Sequence, residues 1–416
     1  MPKPFMSEPL VIVDGVRTPF CKAGSDLAAF PADELGRIAV NALLTRTDLD
    51  PALVDEVIFG CVAQPMDSAN IARVIALRAG IPESVPAVTV HRNCASGFEA
   101  ITTAAERVAA NRGSIFIVGG CESMSQVPML FKETTARKFA KLAKAKTTGA
   151  KLSAFGSFRP ADFEPRIGLK LGLTDPVSGL NMGETAELLA REQGISREAQ
   201  DRFALQSHQR AIAAVEKFAE EICPVFLSSD GGRAITRDNG PRKDQSLDVL
   251  GKLRPVFDKH GTVTPGNSSQ ITDGAVALLV MSASRAAELA FTPLGALVDY
   301  AYTGCDPARM GLGPVSAIQR LETRRGVTTE QADIIEINEA FAAQVLAVQQ
   351  RLVRPIPEER LNVNGGAIAL GHPVGATGAR LVLTSLHELR RRGAKRALVS
   401  LCVGGGQGGA LWLERN

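Results

Sequence analysis

Two stretches, LVDEVIFGCVAQ at residues 53–64 and QADIIEINEAFAAQ at residues 331–344, decide the reading of this chain. Each opens on an acidic turn, passes through a short β-branched apolar run and leaves through small residues. Self-similarity between opposite halves of a chain predicts a duplicated domain. Working outward, the runs at 10–13, 56–59, 87–90, 115–118, 334–337 and 397–401 read as strands, bounded by turn residues. Between them Phe98, Ile101, Ala105 and Val108 recur at the spacing of one helix face. The fold class is α/β.

The chain has 416 residues, with 47 Lys and Arg against 44 Asp and Glu, a net charge of +3. That balance disfavours a nucleic-acid binder held by global charge, and one Trp with two Tyr offers few stacking platforms. With 45% hydrophobic and 22% charged residues the composition is that of an ordinary globular protein. Residues 1–10 lack the basic-then-apolar layout of a secretory signal, and no apolar run approaches the roughly 20 residues of a membrane span. Seven cysteines without CxxC spacing predict neither a disulfide framework nor a metal site. A soluble protein of the reducing cytoplasm is expected.

Two stretches break the rhythm. From about 128 to 183 the chain carries Lys132, Arg137, Lys138, Lys141, Lys144, Lys146 and Lys151 with few acids, then turns rich in Gly, Pro and Phe. This reads either as a solvated helix with an irregular loop, or as a basic amphipathic surface for a partner, an anionic lipid or a phosphate-bearing ligand. Residues 228–251, rich in Asp, Gly and Arg, are expected to be surface loop.

The chemistry concentrates in four places. Cys94, in VTVHRNCASGFEA, lies between a strand and a helix; the positive end of a helix dipole would lower its pKa and make it a nucleophile. A buried cysteine serving as a small apolar residue is the alternative. His372 sits between a Gly and a Pro in NVNGGAIALGHPVGATGAR (362–380), placed to act as base toward a thiol. That segment lacks the spacing of a dinucleotide fingerprint or a P-loop. Cys402 leads into the glycine run of LCVGGGQGGA (401–410), which is either a set of N–H donors for an oxyanion or a simple turn before a last strand. Asn338 follows a strand in INEAFA (337–342) and could orient a water or donate to a carbonyl.

Together, VIVDGVRTPF (11–20), NCASG around Cys94, NEAFA around Asn338, the glycine-rich His372 segment and CVGGGQGG (402–409) resemble the thiolases over nearly the whole chain. The resemblance implies a duplicated five-layer αβαβα fold. Its N-terminal half would span 1–122, completed by 270–290, its C-terminal half 291–416, and a loop domain at 123–269, with the basic insert near 131–170, would cover the coenzyme A site. It implies that Cys94 is acylated by a 3-ketoacyl-CoA, His372 activates that thiol, and Cys402 is the second acid/base. One oxyanion site would use His372 with a water held by Asn338, the other the backbone N–H groups of Cys94 and Gly404. Arg242 and Ser269 would lie along coenzyme A, with Phe257 and Phe341 on the pantetheine path. No cofactor beyond coenzyme A as substrate, and no metal, is implied.

The insert at 131–170, the stretch 252–275 and LHELRRRGAKRALVS (386–400) are similar to the thiolase subunit of fatty-acid oxidation complexes. That similarity points to β-oxidation, with a hydratase/dehydrogenase partner subunit. Yet those chains usually place His where this one has Asn338, and the glycine motifs look more like acetoacetyl-CoA thiolases. Asn181 in GLNMG stands where short-chain biosynthetic relatives tend to have His. The expectation is a thiolase of unassigned chain length, in a homodimer or homotetramer, with a short-chain acetyl-CoA C-acetyltransferase as the alternative. A ketoacyl synthase lacks a counterpart of Cys402 in such a turn, and a non-catalytic lipid carrier would need neither Cys94 nor Cys402.

Overall fold

The computed structural model describes residues 8–227 and 231–415, so the first residues of the N-terminal reading and the start of the 228–251 stretch lie outside the described residues; within that stretch the expected loop is broken by the strand Arg233–Ile235 and the helix Leu247–Gly251. Among the described residues the main sheet has ten strands, of which the nine longer ones are β1 (Leu10–Arg17), β2 (Glu56–Gly60), β3 (Ala87–Val90), β4 (Ile115–Ser123), β5 (Thr272–Ser282), β6 (Gly295–Gly304), β7 (Ile334–Ile337), β8 (Arg396–Val403) and β9 (Gln407–Glu414). Their order is β7-β8-β9-β6-β1-β5-β4-β2-β3, with the short strand Cys21–Lys22 paired to β5.

The order is two copies of one motif. In the first half β3, β2 and β4 run parallel, then β5 and β1 follow antiparallel. In the second, Leu361 bridges parallel to β7, β7 is parallel to β8, and β9 and β6 follow antiparallel. The copies meet where Leu10, Val11 and Ile12 of β1 pair with Leu297, Ala296 and Gly295 of β6. The two stretches that suggested duplication are β2 and β7, at matching positions.

Helices α1 (Ala32–Thr47), α2 (Ile71–Arg78) and α3 (Ser96–Ala109) belong to the first half. Helices α4 (Glu133–Lys144), α5 (Thr148–Phe155), α6 (Met182–Glu192) and α7 (Arg197–Ala213) lie between β4 and β5; α8 (Gly313–Arg325), α9 (Ala342–Arg351) and α10 (Thr377–Arg392) belong to the second half. Three cores separate the layers. Val57 and Ile117 pack with Leu35 and Ile75 on one outer face, while Ile335 and Leu398 pack with Ile318 and Val345 on the other. Their neighbours Ile58, Val118, Ile334 and Val399 point inward onto Phe98 of α3 and Leu386 of α10. Strands covered on both faces read as continuous apolar runs, which is why the sequence shows them so plainly.

In the central layer α3 and α10 meet backbone to backbone. A Cβ on Gly97 would lie 2.6 Å from the Ala379 nitrogen, and one on Gly378 would lie 2.6 Å from the Phe98 nitrogen. The segment between β4 and β5 is fastened by Arg17 of β1, fully buried, which pairs with Glu221 at 2.7 Å and Asp238 at 2.6 Å. The basic insert is more ordered than a loop: α4 and α5 form a hairpin, and Met129–Leu130 pairs with Arg166–Ile167 at its base. Among the described residues no helix is long and apolar enough to cross a membrane.

Gly97→Ala should force α3 and α10 apart and destabilise the protein by about 3 kcal/mol in urea unfolding. An unchanged unfolding midpoint would show that the helix contact tolerates a methyl group.

Candidate active site

The repeat brings three chain segments to one place. Cys94 lies in the turn from β3 to α3, His372 in the loop leading into α10, and Cys402 near the end of β8. Because α3 and α10 are equivalent helices touching at their first turns, the thiol and the imidazole enter from matching loops of the two halves. Cys94, His372 and Cys402 all line one cavity of about 870 Å³.

The loops are held by backbone chemistry. Asn93 takes a left-handed φ of 44°, which asparagine tolerates, and its amide donates to the Gly404 carbonyl at 2.7 Å. Gly405 and Gly406 follow at φ 87° and 81°, conformations that favour glycine, so the run is not a generic turn. The N–H groups of Gly404 and of Cys94 itself bear on the Cys94 sulfur. Glu122, buried at the end of β4, accepts from Val62 N at 3.1 Å, Ala63 N at 2.8 Å and Gly375 N at 2.9 Å. It thereby ties the loop after β2 to the His372 loop.

Electrostatically the site is dominated by desolvation. Burial pushes the Cys94 thiol up, and the Gly404 and Cys94 N–H groups pull it down without prevailing. Against the expected lowering, the thiol is raised: half-buried Cys94 sits in the turn before the first helical residue, Ser96, and desolvation exceeds the pull of the two N–H groups. Cys402 is pushed well above its ordinary value by burial and then by Cys94 beside it. His372 is lowered to about 4, first by burial and then by the positive Arg380. At neutral pH the set is two thiols and one neutral imidazole.

The imidazole's tautomer follows from its neighbour. His372 Nδ1 lies 2.6 Å from Thr377 Oγ1, and that hydroxyl donates to the Pro373 carbonyl at 2.9 Å. A hydroxyl has one proton, so Thr377 accepts from Nδ1–H and leaves Nε2 as the basic nitrogen. Nε2 is buried and has no hydrogen-bond partner among the described residues. Asn338 is fully buried behind the wall; its N–H donates to Ser400 O at 2.9 Å, and both atoms of its amide are likewise unpartnered. Unsatisfied buried polar groups cost about 1–3 kcal/mol each and concentrate at functional sites.

The remaining sequence candidates divide. Ser269 and Phe341 line the cavity, and Phe257 stands behind Phe341, edge-on with ring centroids 6.3 Å apart. Arg242 lies off the wall, exposed, its N–H donating to His208 Nδ1 at 3.2 Å. Asn181 caps α6, and Met182 next to it faces the cavity. Sequence reasoning missed Asn93, Glu122 and Thr377, and the apolar wall of Val127, Pro128, Leu169, Leu171 and Leu173. Only Glu122 carried a signal, as an acid within an apolar strand.

Comparison with known proteins agrees along the whole chain. Residues 10–284 match the model of the thiolase N-terminal domain and residues 291–415 that of the thiolase C-terminal domain. The acetyl-CoA acetyltransferase of Cupriavidus necator is 43% identical over 410 residues, 98% of this chain and 99% of the relative. Among solved structures, Bacillus anthracis acetyl-CoA acetyltransferase superposes with a TM-score of 0.89 at 38% identity, covering 98% of both chains. Human mitochondrial 3-ketoacyl-CoA thiolase in complex with CoA gives 0.88 at 38% identity, again over 98% of both. With the duplicated sheet and the two-thiol, one-imidazole cavity, these matches establish that the chain belongs to the thiolase family of acyltransferases.

Proposed function

We propose that the chain cleaves 3-ketoacyl-CoA thioesters with coenzyme A in fatty-acid degradation, on acyl chains longer than acetoacetyl. The carrying observation is the cavity itself: Cys94, His372 and Cys402 face one space whose far wall is the hydrocarbon of Val127, Pro128, Leu169, Leu171 and Leu173. Its volume falls within the range of pockets that enclose whole small ligands.

In this reading Cys94 attacks the keto carbon as its proton passes to His372 Nε2. The carbon–carbon bond breaks, and the electron pair forms the enolate of acetyl-CoA, which takes its proton from Cys402. The coenzyme A thiol then returns a proton to the Cys402 thiolate and attacks the Cys94 thioester; Cys94 leaves and recovers its proton from the imidazolium. The N–H groups of Cys94 and Gly404 serve one developing oxyanion, and His372 with a water held by the Asn338 amide serves the other. Arg242, Ser269, Phe257 and Phe341 are proposed coenzyme A contacts. A homodimer or homotetramer is the proposed assembly, supported by the half-exposed β3 at the sheet edge. A hydratase/dehydrogenase subunit is the proposed further partner.

A second reading, reversible condensation of acetyl-CoA by a short-chain enzyme, is favoured by the name of the Cupriavidus necator relative. Burying a methylene contributes about 0.8 kcal/mol, roughly a fourfold change in rate. Thiolysis kcat/KM should therefore climb roughly two- to fourfold per methylene from acetoacetyl-CoA toward medium chains. A maximum at acetoacetyl-CoA would select the second reading instead.

Thr377 supplies a separate prediction. Thr377→Val keeps the shape but removes the acceptor of Nδ1–H, so kcat should fall about ten- to a hundredfold with KM little changed, and Thr377→Ser should restore it. Full activity in the valine variant would show that the tautomer is fixed by other means.

A further inference from the structure

The Asn338 amide is buried, and neither of its polar atoms has a hydrogen-bond partner among the described residues. Its position is therefore set by the chain on either side. Before it stands Ile337, the last residue of β7, where the Asn362 side chain pairs with the strand as a neighbouring backbone would. Asn362 Oδ1 accepts from the Ile337 N–H at 2.9 Å, and Asn362 Nδ2 donates to the Ile337 carbonyl at 2.9 Å. After it stands Glu339, whose side chain is buried without a direct ion pair among the described residues. Burying a carboxylate is costly beside burying a fitted apolar side chain, which points to a task other than packing.

Glu339 is gripped from distant parts of the chain. Its Oε1 accepts from Asn362 Nδ2 at 2.9 Å, and its Oε2 accepts from Ser207 Oγ at 2.6 Å and from the Ile368 N–H at 3.2 Å. Each of these groups is a donor, so the place calls for an acceptor on both oxygens, which glutamine cannot supply. Ser207 belongs to α7, in the segment inserted between β4 and β5, and its hydroxyl accepts in turn from the Gly366 N–H at 3.1 Å. A Cβ on Gly366 would lie 2.3 Å from the Glu339 carboxyl carbon, so the glycine-rich loop is moulded on this side chain. The inserted segment also holds the residues that follow: Ser269 N donates to Ala340 O, and Ala342 N to Asn267 O, both at 2.9 Å. We propose that Glu339 is a positioning residue for thiolysis, fixing where the Asn338 amide holds its water, and that Ser207 is the contact through which the inserted segment sets it. This rests on the reading of Asn338 as the holder of an oxyanion water. It gives the segment that carries Arg242 and Ser269 a second task, since the chain proposed to bind coenzyme A also places a group for the reaction.

The test is acetoacetyl-CoA thiolysis by the full chain carrying Glu339→Gln, Ser207→Ala or Asn338→Ala, alone and combined. Glu339→Gln keeps the volume but turns an amide N–H toward donors; kcat should fall about ten- to a hundredfold while KM for coenzyme A stays within about twofold. Ser207→Ala removes a single donor and should lower kcat about three- to tenfold with the same indifference in KM. It carries the test if the glutamine variant does not fold. Asn338→Ala should itself lower kcat about a hundredfold. The combinations decide: in the Asn338→Ala background, either further substitution should cost less than about twofold, because the group it positions is gone. A full additional loss in that background would make the contact a support of the fold alone and overturn the proposal, as would wild-type kcat in Glu339→Gln or in Ser207→Ala. Full activity in Asn338→Ala would instead remove the role given to Asn338 itself, and the proposal with it.

Discussion

Everything in this site depends on two helices of a repeated domain touching without side chains between them. Gly97 and Gly378 let the first turns of α3 and α10 approach until a single methyl group would strike backbone nitrogen. That contact leaves the loops before the two helices nowhere to go but toward each other. The loop before α3 carries Cys94 and the loop before α10 carries His372, so duplication followed by small-residue packing turns two ordinary strand–helix connections into one reaction centre.

The reacting groups are also largely withdrawn from solvent, Cys94 half-buried and His372 and Cys402 buried, and the chemistry follows from that. Two helix N-termini offer some stabilisation to an anion, on the order of 1 kcal/mol each, but burial costs a thiolate more. Cys94 therefore rests as a thiol, while His372 rests as a neutral base whose usable nitrogen is selected by Thr377 and Pro373. Neither group is activated in advance; charge appears only when a substrate supplies an oxygen to receive it, where the Gly404 and Cys94 N–H groups stand ready. Cys402, held beside Cys94, is kept protonated by the same burial, which suits a proton donor.

Much of the architecture was legible because the chain repeats itself and because strands covered on both faces are written as unbroken apolar runs. The segments at 53–64 and 331–344 announced the duplication, and Cys94, His372 and Cys402 stood out as reactive types among glycines. Strand β6, with its alternating buried and half-buried residues, was less visible than its neighbours. What escaped were effects of distance along the chain: Glu122 binding N–H groups from two loops, Asn93 reaching Gly404, and Thr377 choosing a tautomer. The sign of the Cys94 shift was misread for a related reason, since a local helix end can be seen in sequence and the depth of burial cannot.

A desolvated, uncharged thiol–imidazole pair makes a sharp demand on Cys94 reactivity. The decisive measurement is the rate of Cys94 alkylation by iodoacetamide from about pH 5 to about pH 10, followed by peptide mass spectrometry so that the other six thiols do not contribute. A thiol raised above its ordinary value beside a base lowered to about 4 predicts a rate that keeps rising through and beyond about pH 9. A plateau already reached near neutral pH, with an inflection below about pH 6, would reveal a preformed thiolate–imidazolium pair and contradict it.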